Sequence, residues 1–409
     1  MAYNIHTLNN GLRIIHAPSV TNVAYCGIAV NAGTRDELDT ESGMAHFVEH
    51  MSFKGTTKRR SWHIINRMEA VGGELNAYTG KEETVYYTAF MKEDFQRAAE
   101  LLFDICQNST FPQQEINKEV EVIIDEIESY NDTPSELIFD DFENIVFNGH
   151  QLGRNILGSS ARLRQYTTAD AKAFTNRLYN PQNMVMFVFG DIDFGRIVKT
   201  AEKYSTAQQA GALTPDLRKG TVLPSYKPQY AEVSHDTHQA HVMLGARTWG
   251  ANDKRRTGLY ILNNILGGPG MNSRLNISLR ERHGLVYTVE SNLTNYTDTG
   301  LFSIYFGCDQ SDVDKCIRLA RNELQKVIDN RLTDKQFAAI KKQLKGQIGI
   351  ACDNFENCAL SMAKGFLHYN SYKGTAELFR RIDETTPEQL QQIAAEAFSP
   401  ERLSTLIYK

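Results

Sequence analysis

The sequence predicts two homologous α+β domains, each an antiparallel-rich sheet covered by helices. At 409 residues the chain is too long for one ordinary hydrophobic core. In the first half, short strand patterns with turn residues alternate with longer helical patterns. The same order begins again after a segment rich in Ala, Gln, Gly and Pro. We therefore place a first domain at residues 1–206, a linker at 207–228 and a second domain at 229–409.

The first half opens with a predicted hairpin and continues with strands and helices. Asn9-Asn10-Gly11 separates two short apolar stretches and is typical of a tight turn. A helix begins near Thr40 or Ser42, either of which could cap it. The predicted strands are Tyr3–Leu8, Leu12–His16, Val23–Val30, Glu74–Tyr78, Thr84–Phe90 and Met184–Gly190. The other predicted helices are Ser61–Val71, Lys92–Asn108, one from Pro112 to about Tyr130, and further turns to about Asn148.

The second half repeats this order. Its predicted strands are Ala240–Ala246, Leu285–Leu293 and Gly300–Gly307, and its predicted helices are Thr257–Leu266, Asp312–Ile328 and Thr333–Cys352.

His46-Phe47-Val48-Glu49-His50 predicts a metal site on the helix that begins near Thr40. Residues four apart on a helix lie on one face, so both imidazoles can reach one ion. Two neutral imidazoles suit zinc, and the carboxylate of Glu49 can take a proton from a water bound to it. The surrounding residues are apolar, and a metal is the obvious partner for three ionisable groups there. The order His-x-x-Glu-His is that of the inverzincins.

A third ligand is expected on the helix after Pro112. Catalytic zinc sites usually have three protein ligands and a water. Glu119 and Glu126 lie two helical turns apart and project from one face. Spacing alone does not choose between them, and the other acid would support a ligand or the catalytic carboxylate.

The second half provides an internal control for these residues. Where the first half has its two histidines and Glu49, the repeat has Ile261, Ile265 and Asn264. Ile340 and Gln347 stand where the first half has its two glutamates. Histidines and acids are therefore absent together, so the fold of this helix does not require the histidines.

Three segments resemble the pitrilysin/insulinase family of zinc peptidases. They are GMAHFVEHMSFKGT at 43–56, NAYTGKEETVYY at 76–87 and EVEVIIDE at 119–126. The resemblance covers essentially the whole chain. The nearest branch consists of short two-domain chains that include the catalytic subunit of mitochondrial processing peptidase. It implies two domains that clasp an internal chamber, with one Zn2+ per chain.

The resemblance also assigns site residues. It implies that Glu126 is the third ligand, with Glu119 as the supporting acid. It implies that Arg280 and Tyr287, seven residues apart, reach the substrate from the second half. Such groups can stabilise an oxyanion or bind a peptide carbonyl. We therefore treat both, with Glu49, as catalytic candidates.

The resemblance places Asn76, Ala77 and Tyr78 on an edge strand near the metal. An extended substrate can add to such an edge through backbone hydrogen bonds. Glu83, in the Lys-Glu-x-Thr-x-Tyr position of the family, is a supporting residue or simply part of an ordinary hairpin.

Composition limits the possible partners. The net charge of −5 gives no reason to expect nucleic acid or an anionic membrane. Residues 1–20 lack the apolar run of a signal peptide, and no later stretch could span a bilayer. The six scattered cysteines are typical of reduced core thiols. These features predict a cytoplasmic protein.

Together these features predict a zinc endopeptidase that acts on peptides or unfolded polypeptide segments. The resemblance implies a homodimer or a heterodimer, and the complete ligand set favours an active homodimer. Two alternatives stay open. One is a catalytic subunit that is silent without a partner chain, and the other is a non-catalytic peptide-binding subunit.

Overall fold

The computed structural model describes residues 3–205, 222–235 and 237–409. Residues 207–221 of the predicted linker lie outside the described residues, and 222–228 form neither helix nor strand. The chain divides into two compact units. The first comprises Met1–Glu128, Arg154–Val222 and Cys352–Tyr372, and the second comprises Ser129–Gly153, Leu223–Ala351 and Lys373–Lys409. The predicted domains are continuous in sequence, whereas each unit includes one segment from the other half.

The first unit contains a six-stranded mixed sheet. Its strands are β1 (Asn4–Thr7), β2 (Arg13–Ala17), β3 (Val23–Val30), β4 (Glu74–Thr79), β5 (Thr84–Met91) and β6 (Met184–Phe189). The strand order is β1-β2-β6-β3-β5-β4, so β4 is an edge strand. Only the β2–β6 pairing is parallel, and the other four are antiparallel.

Helices cover both faces of this sheet because its strands are apolar on both sides. Along β2, Ile14 joins the core on one face and Ile15 joins the core on the other. Most helices of this unit pack on the first of these faces. They are α1 (Met44–Ser52), α2 (Ser61–Glu69), α3 (Phe95–Gln107), α4 (Gln113–Asn131), α6 (Ser160–Leu163), α7 (Thr168–Leu178) and α8 (Phe194–Tyr204). The opposite face is covered by α12 (Phe355–Tyr369), which comes from the second half of the sequence.

The second unit repeats the plan with five strands. They are β7 (Tyr230–Val233), β8 (Ala240–Trp249), β9 (Val286–Asn295), β10 (Thr299–Cys308) and β11 (Ser404–Tyr408), in the order β7-β11-β8-β10-β9. Its helices are α5 (Pro134–Val146), α9 (Arg256–Gly267), α10 (Val313–Asp329), α11 (Asp334–Ala351), α13 (Gly374–Glu384) and α14 (Pro387–Phe398). One sheet face packs against α5, which comes from the first half of the chain.

The predicted fold class is confirmed: both sheets are largely antiparallel and helices cover them. Among the described residues, no helix is long and apolar enough to cross a membrane.

Candidate metal centre

Helix α1 carries the His-x-x-Glu-His residues and begins in an unusual way. Gly43 precedes it with φ +82°, a conformation that glycine adopts without strain. The buried carboxylate of Glu37 accepts the backbone N–H groups of Gly43 at 3.1 Å and Ala45 at 2.9 Å. Burial raises the pKa of Glu37 to about 8, against the opposing effect of these two hydrogen bonds. The predicted cap at Thr40 or Ser42 is therefore wrong, because a side chain from the preceding loop satisfies the first turn.

The two histidines of α1 meet one glutamate of α4. His46 Nε2 lies 3.8 Å from Glu126 Oε1, and His50 Nε2 lies 3.6 Å from Glu126 Oε2. These separations are too long for hydrogen bonds. Ligands about 2.0–2.1 Å from one zinc ion at tetrahedral angles lie about 3.3 Å apart, which is close to what is seen. Among the described residues, these three form the group that could hold a metal ion.

Glu119 occupies a different position from Glu126 on the same helix. Its Oε1 lies 3.0 Å from His50 Nδ1, and its Oε2 lies 2.6 Å from Lys54 Nζ. With Nδ1–H donating to Glu119, the lone pair of His50 Nε2 is left for a metal. Burial raises the pKa of Glu119, but its hydrogen bonds with His50 and Lys54 and their charges outweigh burial and lower it.

The protonation states suit metal binding. Burial, with the charge of His50, lowers the pKa of His46 to about 3, so this imidazole is neutral at physiological pH. Its buried Nδ1 has no hydrogen-bond partner among the residues that the structure describes. Burial lowers the pKa of His50, but Glu119 and the nearby carboxylates outweigh burial and raise it. A metal ion at Nε2 would displace a proton there.

Glu49 is held beside this group and is not part of it. Thr79 Oγ1, at the end of β4, donates a hydrogen bond of 2.6 Å to Glu49 Oε2. Burial raises the pKa of Glu49, and the charge of Glu126 adds to this effect. The Thr79 hydrogen bond and the charge of His50 act in the opposite direction. A carboxylate with a raised pKa is better suited to general-base chemistry near neutral pH.

The edge strand β4 carries the predicted substrate-binding residues. Asn76, Ala77 and Tyr78 pair with β5 on one side only. Because Thr79 continues the same strand and contacts Glu49, the end of this edge lies beside the candidate general base.

Glu83 is buried immediately before β5 and contacts helix α12. Lys364 Nζ lies 2.6 Å from its Oε1, and His368 Nε2 lies 3.0 Å from its Oε2. Burial raises the pKa of Glu83, but His368 and Lys364 outweigh burial and hold it at about 2. Glu83 is therefore buried and paired with two residues of α12. An ordinary hairpin residue would have no such contacts.

Arg280 and Tyr287 contact each other in the second unit. Arg280 lies in a short π-helical segment, Asn276–Glu281. Its Cζ is 5.4 Å from the centroid of the Tyr287 ring, within the range of a cation–π contact. Tyr287 is 81% exposed, so it is not a core residue of its strand. The role of this pair toward substrate stays a prediction.

Sequence reasoning missed Glu37, Lys54 and Thr79. Lys54 and Thr79 each lie within the motif segments, four residues after His50 and one after Tyr78. Glu37 follows an Arg-Asp pair in the loop before α1 and has no motif signal of its own.

In the repeat, an amide contact joins the residues that stand opposite Glu49 and Glu126. Asn264 Nδ2 of α9 donates to Gln347 Oε1 of α11 at 2.7 Å. Ile261 and Ile265 are buried where the first half has its histidines. The equivalent helices are thus tied by a neutral hydrogen bond in this unit.

A His-x-x-Glu-His helix facing a carboxylate on a second helix is the site type of the inverzincins. A family model described as "Insulinase (Peptidase family M16)" matches residues 13–160. A second model, described as "Peptidase M16 inactive domain", matches residues 165–344, which include the helix without ligands. The chain belongs to peptidase family M16, the insulinase family.

Relatives and solved structures agree with this assignment. An uncharacterized zinc protease of Mycobacterium tuberculosis is 32% identical over 396 residues, covering 96% of this chain and 90% of that protein. The uncharacterized zinc protease YmxG of Bacillus subtilis is 29% identical, covering 98% and 97%. The crystal structure of a protease from Helicobacter pylori has a TM-score of 0.89 at 21% identity and covers 100% of this chain and 99% of that one. At that identity it shows the shared fold.

Proposed function

We propose that this chain is a zinc-dependent endopeptidase with Glu49 as its general base. The observation that carries the proposal is the group formed by His46 Nε2, His50 Nε2 and the Glu126 carboxylate, with Glu49 beside it but outside it. These three residues would hold one Zn2+ per chain. When bound there, zinc supplies a Lewis acid that polarises a carbonyl and makes water more acidic.

The chain's own residues supply the proton transfers. Thr79 holds Oε2 of Glu49, which leaves Oε1 to take a proton from the attacking water. Glu49 then delivers that proton to the nitrogen of the leaving amine. The carboxylate is ready for the next cycle once the amine has left.

Substrate would bind along β4, which pairs with β5 alone among the described strands. An extended peptide would pair with Asn76, Ala77 and Tyr78 through backbone hydrogen bonds, which do not depend on side-chain identity. The substrates would therefore be peptides or unfolded polypeptide segments. Arg280 and Tyr287 would stabilise the oxyanion or hold a peptide carbonyl.

The family resemblance supports two further parts of the proposal, cleavage inside an enclosed chamber and assembly as a homodimer or heterodimer. The six scattered cysteines support a third part, a cytoplasmic location.

The test is a peptide-library digest with the zinc-loaded full chain, read by mass spectrometry. We expect Glu49→Gln to keep its zinc and to lose cleavage, and Glu126→Ala to lose both. Glu121→Gln is the matched control, because Glu121 is an exposed residue of α4 paired with Arg164. Cleavage that survives Glu49→Gln would refute the mechanism.

A further inference from the structure

Lys54 connects to the candidate metal centre through a chain of two contacts. Its Nζ lies 2.6 Å from Glu119 Oε2, and the other oxygen of Glu119 lies 3.0 Å from His50 Nδ1. Lys54 follows the end of α1, one turn after His50. It touches neither the metal ligands nor Glu49 among the contacts of the described residues.

The burial of Glu119 explains why it needs this cation. The side chain of Glu119 is 9% exposed, and a buried carboxylate without a partner is strongly unfavourable. A carboxylate can rotate and offer either oxygen to an imidazole. With one oxygen engaged by Lys54, the other stays directed at His50 Nδ1.

The orientation of His50 then follows from that of Glu119. A ligating histidine is usually fixed by a hydrogen bond from its other ring nitrogen. Because Glu119 accepts from Nδ1, the ring presents Nε2 toward Glu126. A mobile Glu119 would leave this ring free to turn.

The repeat supports a functional origin for the lysine. In the ungapped register that places Ile265 opposite His50, Pro269 stands opposite Lys54. The separate match of the two later helices places Ile340 opposite Glu119. The lysine is thus absent in the half where the histidine and the acid are absent. A lysine that served only to end the helix would not be expected to be absent together with the histidine and the acid.

We propose that Lys54 is a positioning residue for the zinc site, which acts through Glu119 on His50. This inference rests on the proposed function, because it presumes that zinc is the bound ion.

The experiment measures zinc affinity by competition with a chromophoric chelator, using the full chain and no substrate. We expect Lys54→Met to bind zinc about 10- to 100-fold more weakly, the usual cost of removing such a supporting contact. Lys54→Arg, which keeps the charge, should recover most of the affinity. Lys58→Met is the matched control: Lys58 is 58% exposed, lies in the following loop and faces Asp104 at 4.0 Å.

A second measurement separates positioning from folding. The visible spectrum of the Co(II)-substituted protein should change in Lys54→Met and return in Lys54→Arg, because it reports ligand geometry. Melting of the metal-free proteins, followed by circular dichroism, should show one cooperative transition for wild type, Lys54→Met and Lys54→Arg. The midpoint should be lowest in Lys54→Met, which removes the cation beside a buried carboxylate. Equal zinc affinity and equal cobalt spectra for wild type and Lys54→Met would overturn the role of Lys54 and leave the proposed function untouched. A wild-type chain that binds no zinc would overturn the proposed function, and this inference with it.

Discussion

The buried contact between Glu83 and α12 predicts a large, pH-dependent loss of stability in Glu83→Gln. Glu83 is only 4% exposed and faces both Lys364 and His368. Its pKa of about 2 lies below an ordinary value of 4.5. Each pKa unit corresponds to about 1.36 kcal/mol, so the ionised carboxylate contributes about 3 kcal/mol to the free energy of unfolding.

The direction in which this contribution changes with pH follows from the lowered pKa of Glu83. The folded protein binds this proton less readily than the unfolded chain, so the contribution is fully present above about pH 4.5. It is lost as the pH falls from there toward 2. The free energies of unfolding of wild type and Glu83→Gln should therefore differ by about 3 kcal/mol at pH 7 and converge near pH 2.

Urea unfolding followed by circular dichroism measures this difference. With an m-value of about 3 kcal/mol/M, the midpoint should fall by about 1 M at pH 7. Glu377→Gln is the control, since the Arg380 and Arg381 contacts also hold the pKa of Glu377 at about 2, but near the surface, where solvent screens the charges. The reasoning would be refuted if the urea midpoints of wild type and Glu83→Gln were equal at pH 7, or if the gap between them did not narrow as the pH falls.

Three further predictions concern the residues around the metal. Thr79→Val should lower kcat about 10- to 100-fold without changing zinc content, because Glu49 loses a charged hydrogen bond; Thr79→Ser should restore it in steady-state assays. Glu37→Gln should cost about 1–3 kcal/mol in urea unfolding above the pKa of Glu37, about 8, because one of two buried N–H groups then loses its carboxylate acceptor; an unchanged midpoint there would contradict the capping role. Gly43→Ala should lower the melting temperature more than Gly72→Ala. Both glycines have positive φ, but an added Cβ would meet a backbone oxygen at 2.7 Å only at Gly43.

The local pattern of the sequence was enough for most of the fold and for the ligand pair on α1. The predicted helix Thr333–Cys352 is Asp334–Ala351 in the structure, and β3 has its predicted bounds. Spacing within a helix also placed Glu119 and Glu126 on one face, although the choice between them needed the family resemblance. The structure now separates them, because only Glu126 faces both histidines.

Long-range contacts were not predictable in this way. Glu83 meets Lys364 and His368 across more than 280 residues of sequence, and no periodicity records such a contact. The Glu37 cap was missed because the rule for helix starts considers the residue just before the helix, whereas this carboxylate reaches Gly43 from six residues away.

Helix α12 has a consequence for how this protein can be produced in parts. Its apolar side chains cover β2, β3, β5 and β6 on one face of the first sheet. A fragment ending near residue 206 would keep the three candidate metal ligands but leave that face exposed to water, an aggregation hazard. We therefore expect a truncation made to isolate the first half to yield insoluble material. Co-expression with a fragment that carries α12 should rescue it.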